Sequence, residues 1–292
     1  MQDKVCLITG ATSGIGRATA VELGRLGATL ILVGRNQRQG SQVRDTIGQR
    51  AGCAPVEFLP ADLSRQQDVR QLAATIARKY ARLDVLINNA GAKFSRYEES
   101  VDGIELTLAT NHLGHFLLTL LLWETLQQAP AARVVTVSSG AHHGVSNEIQ
   151  ATWPAEAYNR KVAYSQSKLA NVMFTYELAR RLHGTQATAN ALDPGGVATN
   201  LGRNNGLLAW AKHLLFYTLK GQLLSPRQGA DTVVYLASAP EVAGVSGQFF
   251  HQRKPTRSSP ASYDEPASSR LWELSLQLAH LDSDPSRPGR GH

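Results

Sequence analysis

The fold is decided near the N-terminus by the stretch KVCLITGATSGIG, residues 4–16. Its apolar start predicts a short buried strand, and its glycines predict a tight turn into a helix that begins near Ile15. Glycine lets a backbone approach a pyrophosphate closely, and the free N–H groups at a helix N-terminus favour an anion. The spacing Gly-x-x-x-Gly-x-Gly is one residue wider than the common dinucleotide fingerprint, so its place between the first strand and the first helix carries the prediction. The expected cofactor contacts in this turn are Gly10, Thr12, Ser13, Gly14, Ile15 and Gly16.

Apolar runs alternate with helical segments along the rest of the chain. The predicted strands are Lys4–Thr9, Thr29–Val33, Val56–Leu59, Val85–Ile87, Arg133–Val137 and Ala187–Leu192. The predicted helices are Ile15–Leu26, Gln37–Arg50, Arg65–Tyr80, Gly103–Gln128, Val162–Leu182, Pro226–Ser238 and Ala267–Leu281. Repeated βα units with nearly continuous apolar strands predict an α/β fold, with a single Rossmann-type doubly wound parallel sheet and helices on both faces.

Composition narrows the classes of protein and partner. The chain has 292 residues, 42% of them hydrophobic and 18% charged, so it can bury a sizeable core. Its net charge of +7 favours anionic partners such as a phosphorylated cofactor or an acidic membrane surface. The sequence has no run of Lys and Arg and no stripe of basic and aromatic residues, so we do not expect it to bind nucleic acid. Only Cys6 and Cys53 are present, which excludes a disulfide framework and indicates a reducing compartment. A strand that begins near Lys4 leaves no room for a signal peptide or anchor, so we expect a cytoplasmic protein, with peripheral membrane contact left open.

The end of the second strand bears on the choice of dinucleotide. An acidic residue there would bind the 2′-hydroxyl of NAD, whereas this chain has Val33-Gly34-Arg35. A guanidinium suits a 2′-phosphate, so Arg35 favours NADP(H), against the alternative that it is only a solvated loop residue. Asp62 follows the third strand and either accepts a bond from the adenine amino group or caps the next helix, a role that Ser64 could also fill.

Tyr164 and Lys168 stand four residues apart in a predicted helix, which places both side chains on one face. A phenol is a weak acid with a pKa of roughly 10, and a fixed ammonium nearby lowers that pKa. Such a pair can pass a proton to or from an alcohol oxygen near neutral pH. Taken alone, the pair is also compatible with a half-buried aromatic residue beside a solvated lysine.

Several segments in a fixed order resemble the short-chain dehydrogenase/reductase family. They are Thr9–Gly16, Asn88–Gly91, Asn111, Ser138–Ser139, Tyr164–Lys168 and Pro194–Thr199. The stretches Ser139–His143, Ser167–Asn171 and Leu271–Glu273 are similar, more narrowly, to the retinol dehydrogenase-like branch.

The resemblance implies roles for the residues that match it. Tyr164 would carry the proton, and Lys168 would hold the nicotinamide ribose and lower the pKa of the tyrosine. Ser139 would bond to the substrate oxygen, although Ser138 beside it competes for that role and Ser139 could instead be a strand-end hydroxyl that caps a turn. Asn111 would keep its helix open for a water that links Lys168 to solvent, or is simply a polar helix residue. The remaining cofactor contacts implied are Leu63, Asn89, Ala90, Gly91, Pro194, Gly195, Val197 and Thr199.

The sequence pattern divides the chain, and the resemblance adds the place of a lid. Residues 1–254 would form the dinucleotide-binding catalytic domain, with a substrate lid at about 200–225 that includes Trp210. Residues 255–281 would form a helical extension, and 282–292, rich in Pro, Gly and Arg, a disordered tail. The apolar residues of the lid segment equally fit a substrate wall, a packed helix in a homodimer or homotetramer, or an interfacial membrane contact.

The expected activity is the interconversion of a carbonyl and an alcohol on a lipophilic small molecule, with NADP(H) as cofactor. Two alternatives stay open: a cofactor-binding regulator or scaffold that has lost catalysis, and a tetrapyrrole reductase. We expect no metal, because His142 and His143 are adjacent on a loop and no acid or thiol joins them at ligand spacing.

Overall fold

Eight strands form one sheet in the computed structural model, which describes residues 1–49, 54–197 and 223–286. The strands are β1 Val5–Thr9, β2 Thr29–Gly34, β3 Val56–Pro60, β4 Val85–Asn88, β5 Arg133–Val137, β6 Thr188–Asp193, β7 Phe249–His251 and β8 Lys254–Pro255. Their order is β3-β2-β1-β4-β5-β6-β7-β8, and every pair is parallel except β7 and β8. The strand order reverses beside β1, between β1 and β4, where an open α/β sheet forms a ligand crevice at the carboxyl ends of its strands.

Helices cover both faces of this sheet. They are α1 Gly14–Arg25, α2 Gln37–Gly48, α3 Gln66–Lys79, α4 Leu106–Leu108, α5 Gly114–Leu121, α6 Trp123–Gln127, α7 Arg160–Arg181, α8 Pro226–Ser238 and α9 Glu265–Leu278. One apolar core lies between the sheet and α1, α2 and α8, and the other joins it to α3, α5, α7 and α9. The predicted α/β sheet covered by helices on both faces is therefore confirmed, and Cys6 lies fully buried in β1.

The predicted helix Gly103–Gln128 is wrong as one continuous helix. Gly103 has a φ of +73° and stands in a turn, and the helix begins only at Leu106, where Glu105 accepts bonds from two backbone N–H groups. The segment Ala109–Leu113 then forms a π-helical turn, and the helix is interrupted again at Leu122. The β7–β8 hairpin is an addition that the sequence pattern did not predict.

The C-terminal helix α9 is part of the core. Trp272 is 1% exposed, packs edge-on against Phe116 of α5 and stacks on Phe174 of α7. Its indole N–H donates to Asp284, which falls within the predicted tail and also pairs with Arg181. The rest of that tail, 287–292, lies outside the described residues. No helix in the described part of the chain is long and apolar enough to span a bilayer.

Candidate active site

The glycine turn between β1 and α1 has the conformation that a closely approaching ligand requires. Gly10 and Gly14 have φ values of +66° and +53°, a region that L side chains rarely adopt. A Cβ on Gly16 would lie 2.4 Å from the carbonyl oxygen of Gly10, so the helix starts directly against the turn. The Ser13 side chain makes no capping bond, so it leaves the first N–H groups of α1 available to an anion.

Thr9 joins this turn to the end of β4. Its hydroxyl oxygen accepts bonds from the backbone N–H groups of Asn89 and Ala90, at 2.9 and 3.0 Å. The Asn89 amide in turn donates to the Thr9 carbonyl at 2.7 Å. The predicted cofactor residues of the first and fourth strands are thus brought together at the point where the strand order reverses.

A cavity of about 500 Å³ opens beside the ends of β2 and β3. Arg35, Asp62 and Asp68 line it together with apolar residues of β3 and α3. Arg35 is exposed at the tip of β2, as a residue that meets a 2′-phosphate must be. A cationic group and two carboxylates therefore share the space where the switch in strand order would seat the adenosine end of a dinucleotide.

The prediction that Asp62 or Ser64 caps the third helix is wrong. The N-cap of α3 is Arg65, whose side chain makes no capping bond, and Asp102 accepts a bond from the Gln66 N–H instead. Asp62 Oδ1 accepts from the N–H and the hydroxyl of Ser64 at 3.0 and 2.8 Å. This local turn leaves the adenine role of Asp62 as a prediction. The neighbouring Leu63 is buried, at 6% exposed, and its predicted cofactor contact also stays a prediction.

Asn111 sits in the π turn and joins it to two other parts of the site. Its side chain accepts from the Ala92 N–H at 2.7 Å and donates to the Ala92 carbonyl at 2.9 Å. It also donates to the Ser167 hydroxyl at 3.0 Å, and Ser167 donates to the Tyr164 carbonyl. A Cβ on Gly91 would lie 3.6 Å from Asn111 Oδ1 and 3.5 Å from Lys168 Nζ, so the amide and the ammonium meet at this glycine.

Lys168 is buried beside the Tyr164 ring. Its Nζ lies 5.8 Å from the ring centroid and donates to the Val137 carbonyl at 3.1 Å. Burial lowers the pKa of Lys168 to about 8, and the charge of Asp193 opposes that shift. The predicted pair is therefore brought together, with an ammonium that releases its proton more readily than an exposed lysine does.

The structure separates the two serines at the end of β5. Ser138 is 2% exposed and its hydroxyl donates to the Lys168 carbonyl at 2.7 Å. Ser139 is half-buried, and its Oγ accepts a bond from the Ala141 N–H at 3.3 Å. Ser138 is thus engaged in packing β5 against α7, whereas Ser139 caps the turn that follows β5, as one of the alternatives predicted.

The turn after β6 completes the described part of the crevice. Gly195 has a φ of +80° and donates its N–H to Asp193 Oδ1 at 3.0 Å. Val197 pairs with Leu224 and packs closely over Gly229 at the start of α8. Pro194 begins this turn. Thr199, Trp210 and the predicted lid at about 200–225, apart from residues 223–225, lie outside the described residues.

Two residues of this site were missed by sequence reasoning. Lys93 lies with its Nζ 5.1 Å from the Tyr164 ring centroid, and its position just after the Asn89–Gly91 motif was the signal that could have found it. His115 donates from Nδ1 to the Asn111 carbonyl and accepts at Nε2 from the Thr9 hydroxyl, both at 3.0 Å. Burial lowers its pKa to about 3, which keeps the ring neutral. It therefore joins the glycine turn to the π turn.

The adjacent histidines do not form a metal site with other described residues. His142 is buried and bonded to backbone groups, while His143 is exposed. Across the described part of the chain, no group of three or more His, Cys, Asp or Glu side chains is placed to hold a metal ion.

Comparisons with known proteins agree with this geometry. A family model described as short chain dehydrogenase matches residues 4–207. Retinol dehydrogenase 14 of Homo sapiens is 41% identical over 294 residues, covering 96% of this chain and 88% of the relative. A solved structure of a protein from Mycobacterium paratuberculosis is 36% identical with a TM-score of 0.74, covering 96% of this chain and 94% of that one. The structure of RhlG of Pseudomonas aeruginosa, an active-site complex with NADP, is 25% identical with a TM-score of 0.70, covering 86% and 94%.

Proposed function

This chain belongs to the short-chain dehydrogenase/reductase family of oxidoreductases, in its retinol dehydrogenase-like branch, and from that membership we propose a specific activity. It interconverts an alcohol and a carbonyl on a lipophilic small molecule, with NADP(H) as the cofactor. Tyr164 carries the proton, Lys168 lowers the pKa of Tyr164, and Ser139 binds the reacting oxygen of the substrate. The cytoplasmic location, peripheral membrane contact and self-association stay predictions.

The crevice fits a nicotinamide dinucleotide phosphate. The turn at Gly10–Gly16 would hold the pyrophosphate, since it leads into the N-terminus of α1, whose first N–H groups favour an anion. Arg35 would pair with the 2′-phosphate, and Asn89–Gly91 would line the cleft beside Lys168. The bound nicotinamide would supply or take up the hydride. The NADP complex of RhlG supports a nicotinamide cofactor, and Arg35 supports the phosphorylated form.

The proton path follows from three side chains of this chain. When a carbonyl is reduced, negative charge develops on its oxygen, and the hydroxyls of Ser139 and Tyr164 can stabilise it inside a dry site. Tyr164 then gives its proton to that oxygen, and in the oxidative direction takes one back. The Lys168 ammonium, buried beside the ring, favours the phenolate that remains. Asn111 fixes the relative position of β4 and α7, so the lysine and the tyrosine keep this geometry.

The substrate class rests on the relatives rather than on the described residues. The similarity to retinol dehydrogenase 14 supports a lipophilic alcohol or aldehyde. The apolar segment that would wall such a substrate, with Trp210, lies outside the described residues. We predict that Trp210→Ala raises KM for bulky apolar substrates more than for small ones.

The observation that carries the proposal is the buried Lys168 ammonium beside the Tyr164 ring. It donates to the carbonyl of Val137, the last residue of β5, two residues before Ser139. The test offers the protein a panel of retinoid, aliphatic and aromatic aldehydes and alcohols, and measures hydride transfer to or from each by the change in NADPH absorbance. Tyr164→Phe removes the transferable proton but keeps the ring, so turnover should fall by about 10²-fold or more while NADPH binding persists.

Tyr80→Phe is the matched control, because it removes a tyrosine hydroxyl that, in the described part of the chain, donates to Glu57 on the outer strand of the sheet. It should retain full turnover. Comparable activity in the Tyr164 and Tyr80 variants would refute the assigned proton carrier. Tight NADPH binding with no hydride transfer to any member of the panel would favour a cofactor-binding regulator instead.

A further inference from the structure

A single buried imidazole links the turn that carries Ser139 to the C-terminal part of the chain. His142 is 0% exposed and lies in the short 3₁₀ turn Gly140–Gly144 that follows β5. Its Nδ1 bonds to the Ser139 carbonyl at 2.7 Å, and its Nε2 bonds to the Ser259 N–H at 3.0 Å. None of the roles assigned above uses this residue.

The two bonds require one particular form of the ring. A carbonyl only accepts, so Nδ1 must carry a proton, and a backbone N–H only donates, so Nε2 must be bare. Only the neutral Nδ1–H tautomer meets both conditions. Burial lowers the pKa of His142, which favours this neutral form, while the Ser139 bond and Asp193 raise that pKa and His143 lowers it. The rings of Phe249 and His143 pack beside it at 4.8 and 4.1 Å between centroids.

The bond to Ser139 limits how that residue can turn. The Ser139 carbonyl accepts both the His142 backbone N–H at 3.2 Å and its Nδ1–H, which uses both lone pairs of the oxygen. Because the peptide plane after Ser139 is held from this side, the direction of its Cβ and hydroxyl depends on where the imidazole stands.

The Ser259 end of the link is itself firmly held. Ser259 is 1% exposed, and its carbonyl accepts from the N–H and the hydroxyl of Ser262 at 3.0 and 2.6 Å. The preceding Ser258 bonds through its hydroxyl to Tyr176 of α7 at 2.7 Å. The imidazole therefore rests on a segment fixed to the helix that also carries Tyr164.

We propose that His142 is a positioning residue, which holds the Ser139 hydroxyl toward Tyr164 by bridging it to the backbone of Ser259. The proposal rests on the proposed function, since it takes Ser139 as the group that binds the substrate oxygen. It gives Ser259, which lies beyond the residues 4–207 matched by the family model, a part in positioning a catalytic residue. Through this link the position of Ser139 is fixed relative to α7, the helix that also carries Tyr164.

Three variants of His142 and two of Ser259 test the bridge from its two ends. His142→Asn keeps a donor near the Nδ1 position but loses the acceptor for the Ser259 N–H, and His142→Gln keeps an acceptor near the Nε2 position but loses the donor for the Ser139 carbonyl. Each breaks one end of the bridge and His142→Ala breaks both, so all three should lower kcat, His142→Ala by about 10²-fold, the scale of a 1 Å misplacement. Ser259→Pro, at a φ of −62° that proline adopts, replaces the N–H donor with a ring carbon that points at the imidazole. It breaks the bond from this end and should also lower kcat. Ser259→Ala keeps that N–H and is its matched control, with turnover like that of the unmodified protein.

The measurements separate positioning from general damage and from failure of the proposed function. NADPH affinity by calorimetry should stay unchanged in all variants, and amide hydrogen exchange of residues 140–144 should rise in the three His142 variants and in Ser259→Pro, but not in Ser259→Ala. If His142→Ala fails to fold, the Ser259 pair decides. Unchanged kcat and exchange in Ser259→Pro, with Tyr164→Phe inactive, would overturn the bridge and leave the proposed function standing. An unmodified protein that transfers no hydride would overturn both.

Discussion

Replacing Arg35 should change which dinucleotide the protein prefers. Arg35 stands exposed at the rim of the cavity that Asp62 and Asp68 also line. Two unit charges 4 Å apart gain about 1 kcal/mol in bulk water and about 4 kcal/mol at an effective dielectric of 20. For an exposed guanidinium we therefore take about 1.5–3 kcal/mol, the usual worth of a hydrogen bond to a charged group. That corresponds to about a 10- to 160-fold rise in Kd for NADPH in Arg35→Gln.

The two carboxylates set the direction of the change for NADH. Once Arg35 is gone, the carboxylates of Asp62 and Asp68 remain beside the 2′-phosphate of NADPH, and Arg65, 3.8 Å from Asp68, offsets only part of their charge. The 2′-hydroxyl of NADH, by contrast, can donate to a carboxylate. NADH affinity should therefore hold or improve, and Arg35→Asp should narrow or reverse the preference.

Calorimetric titration of both nucleotides measures this effect. Arg44→Gln is the matched control, because Arg44 lies on α2, pairs with Asp45 and does not line the cavity. The difference in affinity between NADPH and NADH should also shrink as salt is added, since the pair formed by Arg35 and the 2′-phosphate is exposed. Equal affinities for the two nucleotides in the unmodified protein, or equal losses for both in Arg35→Gln, would refute the reasoning.

Three further variants probe the frame of the site. Gly16→Ala places a Cβ 2.4 Å from the Gly10 carbonyl and should lower the free energy of unfolding in urea by about 1–3 kcal/mol, whereas Gly48→Ala, with open space around its Cβ, should not. Burial lowers the pKa of His115 to about 3, so the unfolded chain alone binds its proton as pH falls below about 6.5. Stability then drops by about 1.4 kcal/mol per pH unit more than in His115→Asn, and parallel pH profiles would contradict this. The pKa of Lys168 is lowered to about 8, so between there and about 10.5 only the folded chain has lost that proton, and stability should rise with pH relative to Lys168→Met.

The sheet and the glycine turn could be predicted because their signals are local. The apolar runs are short and separated by helical segments, and Gly10–Gly16 follows directly on the first of them. The pairing of Tyr164 with Lys168 follows from helical spacing alone. Each of these features needs only neighbours in the sequence to be recognised.

The features that could not be predicted depend on distant partners. The π turn at Ala109–Leu113 has an ordinary helical composition, and Asn111 joins it to Ala92, 19 residues away. The bridge from His142 to Ser259 spans 117 residues. The strand β8 has two residues, too few to show a period of two. In all three, tertiary contacts decide the local conformation.

The two borders of the sheet discourage growth into larger sheets. At one border, β3 is flanked by Pro55 and ends at Pro60, and its Glu57 pairs with Lys79. At the other, β8 is only two residues long, both exposed, and one of them is Pro255, which has no N–H to offer. An incoming strand from another molecule would meet proline and charge at either border, which are the usual protections against aggregation through open strands. We therefore expect that copies of this chain that associate do so through helix surfaces, and that concentrated solutions resist fibre formation.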